Sequence, residues 1–235
     1  MELRSQIEAL LSRHVFELTE FADFKAIESG RASREDYDRF LGNVVRTHLQ
    51  SPHVLAFLYA FAAPAAAANL AHNMLEELGI EEESGIPHPS LLRTLAAGAG
   101  LGDLLPELER ASQEDLRQII VDPILYGTLK EVGLSALIEV VAFEFMLSRV
   151  ASRIAAALAR HRGLPPTALE WFTHHSEVDI GHAEQGLDNL ESYVRYYGFT
   201  PDDAFTIFDM TLRENVFIKR YFGEKALGRA TGHVA

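Results

Sequence analysis

The sequence predicts an all-α fold, a single bundle of seven to eight helices. Three observations carry that reading. No run of period-2 alternation is long enough for a sheet strand. Pro and Gly residues fall at the ends of segments with helical apolar periodicity. The 235 residues, 48% apolar and 23% charged, have an ordinary globular balance with enough chain to bury a core.

The elements follow in order. A first helix is expected over about 2–18. A second starts near Ser33, where SRED offers an N-cap Ser followed by acids, and runs to about Gln50. Ser51-Pro52 restarts the chain into a third, to about Ala62. Pro64 opens a fourth that stops at Gly79, and the loop IEEESGIP leads to a short helix from His88 to about Ala97. Asp122-Pro123 introduces a long helix ending near Gly163, and Pro165-Pro166 another ending at Gly198. Thr200 caps the last, to about Gly223. Residues 1–229 are read as one helical bundle domain, and 230–235 as a loose tail.

Composition narrows the function. With 21 Lys and Arg against 34 Asp and Glu, the formal charge is −13, so no basic field exists to collect nucleic acid or an anionic membrane. The absence of Cys excludes disulfides, thiolate metal sites and cysteine nucleophiles. The start, MELRSQIEALLSRHVF, is amphipathic and acid-containing, unlike a signal peptide. The apolar stretch from Val54 to Leu70 contains Pro64 and many small residues, and reads as packed helix. The expectation is a soluble cytoplasmic protein with a small-molecule substrate. Dimerisation through an outer helical face stays open.

The chemistry concentrates in HHSEVDIGH, residues 174–182. Turning the helix by about 100° per residue places His175, Asp179 and His182 on one face with Ala168, Trp171, Phe172 and Leu190. Glu177, Glu184 and Glu191 take the opposite face. On the preceding helix Glu144 lies in a stripe of Leu137, Val140, Val141, Leu147 and Ala151, with Glu139, Arg149 and Arg153 on the far side. Glu77 shares a face with Leu70, Asn73 and Met74, whereas Glu76 falls on a more polar strip with His72 and Asn69. His88 opens the short helix. His48 faces inward and reads as a core histidine.

Burying one unpaired ionised carboxylate costs several kcal/mol, against a domain stability of roughly 5–15 kcal/mol. Glu77, Glu144 and Asp179 together would consume that margin, and no inward Lys or Arg on these helices offsets them. Metal offsets them economically, and carboxylates mixed with imidazoles suit iron or manganese. The candidate metal ligands are Glu77, His88, Glu144, His175, Asp179 and His182. Glu144 and Asp179 are also the candidate catalytic carboxylates. Two divalent ions against three carboxylates leave one net positive charge, which would welcome an anion.

Glu77 followed by His88-Pro89, a mid-helix Glu144 and H-x-x-x-D-x-x-H resembles the haem-oxygenase-like diiron oxidases and oxygenases. AIESGRASREDYDRFL and the AFE segment also resemble the wider haem-oxygenase and thiaminase-type superfamily. The resemblance covers roughly residues 20–222. It implies a haem-oxygenase-like bundle holding two Fe²⁺ ions that react with dioxygen. By the same pattern Glu77 and His88 are ligands, Glu144 a bridging or second-metal carboxylate, and His175, Asp179 and His182 the C-terminal set. One departure stands out: some members carry a further Glu on the helix before that of Glu77, and no acid lies between Asp38 and Glu76 here. The expected function is oxidation, N-oxygenation or oxidative carbon–carbon cleavage of a small molecule, amino-acid-like or amine, with Mn as a substitute metal. The alternatives are a metal-independent enzyme of the superfamily, thiaminase-like or a cofactorless oxidase, and a non-enzymatic ligand-binding bundle.

Overall fold

Local capping chemistry starts the helices that build the interior. Ser33 accepts from the Asp36 amide while the Asp36 carboxylate accepts from the Ser33 amide, a reciprocal box that opens α3 (Arg34–His48). Thr128 and Glu131 repeat it for α9 (Leu129–Arg162). Left-handed glycines end both flanks of this frame: Gly30 after α2 (Ala22–Ser29) and Gly163 after α9, with φ of 76° and 65°. The computed structural model describes residues 2–81, 84–223 and 226.

The remaining helices are α1 (Leu3–Glu20), α4 (Ser51–Ala60), α5 (Ala67–Glu77), α6 (His88–Gly98), α7 (Leu105–Leu116) and the three-residue α8 (Asp122–Ile124). After α9 come α10 (Pro166–Tyr196), α11 (Pro201–Leu212) and α12 (Val216–Phe222). A π turn, Arg117–Val121, links α7 to α8. The fold is all-α, a bundle centred on α9. That helix packs along α10 and also meets α1, α2, α4 and α11. One apolar core reaches from Ile7 to Ala226. Among the described residues no helix is long and apolar enough to cross a membrane.

Several boundaries depart from the sequence reading. Asp122-Pro123 opens only α8, and the long helix starts at Leu129, because the Thr128 box satisfies its first amides. Pro64 sits in a turn and α5 begins at Ala67. The expected last helix breaks at Glu214 and Asn215, whose φ values are 63° and 56°. Asn215 then caps α12 by accepting from the Ile218 amide, and its Nδ2 donates to the His14 carbonyl at 2.7 Å. Two short helices, α2 and α7, were not anticipated. The tail expected over 230–235 lies outside the described residues.

Candidate metal centre

All six candidate side chains line one cavity of about 90 Å³, between α3, α4, α5, α6, α9 and α10. Three of them converge tightly. Ligand atoms of Glu77, His88 and His175 all lie within 4.8 Å of one another. Glu77 Oε1 is 3.1 Å from His88 Nδ1 and 3.9 Å from His175 Nε2. Its other oxygen accepts from Ser51 Oγ at 2.5 Å. His175 Nδ1 sits 2.7 Å from the Trp171 carbonyl, which only accepts, so Nδ1 carries a proton and Nε2 is the nitrogen that faces Glu77 and the cavity. Burial opposes ionisation of Glu77, but His88 and His175 hold it well below the usual carboxylate range.

The other three form a looser set. Glu144 Oε1 accepts from Asn73 Nδ2 at 2.7 Å. Burial, reinforced by Asp179, pushes the Glu144 carboxyl up to about 7, against the pull of His182. Asp179 is 1% exposed, and its Oδ2 finds no hydrogen-bond donor among the described residues. Its Oδ1 is 3.6 Å from His182 Nδ1. His182 Nε2 turns the other way, to Glu76 Oε2 at 2.9 Å. Burial disfavours the imidazolium, yet Asp179, Glu144 and Glu76 push His182 up to about 9. Among the described residues this trio does not close to the spacing of the first.

Room for Glu144 comes from Gly186 on α10. A Cβ there would lie 2.8 Å from Val141 Cγ2 and 3.3 Å from Glu144 Oε2. The glycine thus lets α9 and α10 approach where the second set meets the first.

Two acids were misplaced by the helical wheel. Glu76 was read on a polar strip of α5, but that strip faces α10: Asn69 donates to Asn189 and Glu76 engages His182. Glu139 was read on the far side of α9, yet its side chain is 17% exposed, lines the cavity and accepts from Arg220 at 2.6 Å. The far side of α9 is exposed at Arg149 and Arg153 but covered at Glu139, where Arg220 of α12 reaches it. His48 is inward as expected. It lines the cavity, lies 2.8 Å from Tyr221 Oη and is driven by burial down to about 3.

The donor set fits iron. An ionised buried carboxylate, an imidazole anchored at Nδ1 and a buried carboxylate oxygen without a donor make a set of hard and borderline ligands suited to a divalent cation. A family model described as iron-containing redox enzyme matches residues 38–197. The chain belongs to this iron-containing redox enzyme family. It is therefore an oxidoreductase, in agreement with the haem-oxygenase-like resemblance of its motifs. No curated protein matches the chain significantly. The matched span of the iron-containing redox enzyme family includes all six candidate ligands, most of α3 and the whole of α4, α5, α6, α9 and α10.

Proposed function

We propose that this iron-containing redox enzyme is a non-haem diiron oxidase or oxygenase, acting with dioxygen on a small amino-acid-like or amine substrate. The observation that carries the reading is the gathering of three carboxylates and three imidazoles around one cavity. Glu77, His88 and His175 would hold one ion, and Glu144, Asp179 and His182 the other. Iron, when bound, supplies the reducing equivalents and open coordination positions that activate dioxygen.

The protein's own residues do the rest. Ser51 occupies Glu77 Oε2 and leaves Oε1 for the cation. Trp171 anchors His175 at Nδ1 through its carbonyl. Glu76, on His182 Nε2, aims Nδ1 at the second set, as an outer carboxylate does for a metal-bound imidazole. Without a cation Glu144 keeps its proton up to about 7, and it gives that proton up to bind the second ion. Val140, Phe143 and Leu147 line the remaining wall and keep water from the reacting centre.

The test is oxygen uptake by anaerobically iron-loaded protein, with panels of amino acids and amines. Substrate-dependent uptake that disappears in Glu144→Ala is the expected result. Turnover that survives chelation would instead favour a metal-independent enzyme, and no uptake with any partner a binding protein.

A further inference from the structure

A line of aromatic rings leads away from the metal cavity. His175, on the cavity wall, packs on Trp171 with ring centroids 4.3 Å apart and planes 37° apart. Trp171 packs on His48 at 4.9 Å. His48 Nε2 then lies 2.8 Å from Tyr221 Oη and is the hydroxyl's hydrogen-bond partner among the described residues. Trp171 and Tyr221 are 1% and 0% exposed, and Trp171 is the chain's single tryptophan. A neighbouring cavity of about 160 Å³, between α2, α3 and α12, borders Tyr221.

Packing alone does not call for this chemistry. Phe40, Phe143 and Phe217 supply aromatic bulk around the same rings without a polar atom. A buried hydroxyl and imidazole give up their hydration and recover only about 1 kcal/mol net from one hydrogen bond. What indole and phenol add is redox chemistry. In a chain without cysteine they release an electron more readily than other side chains, and rings in contact pass it on in short steps. A phenol loses its proton with the electron, and His48, which burial keeps neutral, presents Nε2 to that hydroxyl.

We propose that Trp171 and Tyr221 relay single electrons into the metal cavity, with His48 holding the phenolic proton. An electron leaves the indole, past His175, for a one-electron oxidant formed from dioxygen at the iron. Tyr221 refills the indole and passes its proton to His48 Nε2. The balance is one electron delivered to the oxidant, a neutral phenoxyl at Tyr221 and an imidazolium at His48. A one-electron donor of the ascorbate or hydroquinone class, reaching the neighbouring cavity, reduces the phenoxyl and is itself oxidised, and the proton returns to Tyr221 Oη. The relay discharges an oxidant that has no substrate to attack. Its inner end rests on the oxidase reading.

The test begins with chelator-treated protein and a light flash absorbed by the single indole, which ejects an electron and leaves the Trp171 radical. Transient absorption and EPR should show that radical giving way to a tyrosyl radical. Tyr221→Phe, which removes only the hydroxyl, should lose the tyrosyl signal and prolong the indole radical. His48→Gln, which keeps a hydrogen-bond partner but no base, should slow the transfer about tenfold or more. A tyrosyl signal that persists in Tyr221→Phe, or a rate unchanged in His48→Gln, overturns the proposal. Iron-loaded protein frozen after mixing with oxygen, without substrate or donor, should show the same Tyr221 radical. Oxygen consumed without that radical also overturns it. Transfer after the flash in protein whose iron consumes no oxygen would instead remove the oxidase reading and leave the relay standing.

Discussion

Two buried carboxyl groups on one cavity behave oppositely. Glu77 is ionised because two imidazoles face it, while Glu144 keeps its proton up to about 7 and His182 keeps one up to about 9. A cation entering the Glu144, Asp179 and His182 set must therefore displace protons that the Glu77 set does not carry on its carboxylate. Below pH 7 two protons have to leave and between 7 and 9 only one. Affinity for the second equivalent should then rise by up to about a hundredfold per pH unit below 7 and about tenfold above it. Anaerobic Fe²⁺ or Mn²⁺ titrations at pH 6, 7 and 8 measure this, and a second equivalent insensitive to pH would refute it. At this scale the sequence was partly legible. The spacing of His175, Asp179 and His182 fixed a shared face because α10 has a true solvent side, where Glu184 and Asp188 take Arg4. Glu76 was not legible, because its partner lies 106 residues away and its strip looks polar until α10 covers it.

At the scale of elements, two small features set the position of the site. Gly186 permits the close approach of α10 to α9 at Val141 and Glu144. In Gly186→Ala, overpacking of about 1–3 kcal/mol exceeds the helix-propensity gain of about 1 kcal/mol. The variant should be less stable by chemical denaturation and bind the second metal more weakly; a more stable variant with unchanged metal affinity would refute this. Asn215, at 4% exposure, holds α12 in place and with it Tyr221, against His48, and Arg220, against Glu139. Loss of its cap and its bond to the His14 carbonyl in Asn215→Ala should cost about 1–3 kcal/mol by urea unfolding. The break between α11 and α12 escaped the sequence reading because it depends on left-handed residues that are not glycine. Thr128 escaped it for another reason: Asp122-Pro123 offers an equally good local start, and only the path into the long helix decides between them.

The whole molecule places its ionisable groups around an apolar frame, and acid should expose the cost. His48 is neutral in the fold, with a value near 3, but takes a proton near 6.5 once unfolded. Its contribution is intact above 6.5 and is lost as pH falls towards 3. Between pH 7.5 and 5 that loss is about 2 kcal/mol, so His48→Gln should flatten this part of the stability profile. The fold class was legible because helical periodicity and end signals recur along the chain. The cavity was legible only as a list of inward polar residues, since its size and its neighbour depend on how α3, α9 and α12 meet. The most direct measurement of the central claim is the iron content of anaerobically reconstituted protein, compared with Glu77→Ala and Glu144→Ala. The account predicts two ions per chain, falling to one or none in each variant. Unchanged iron in both, with the fold intact, would contradict it.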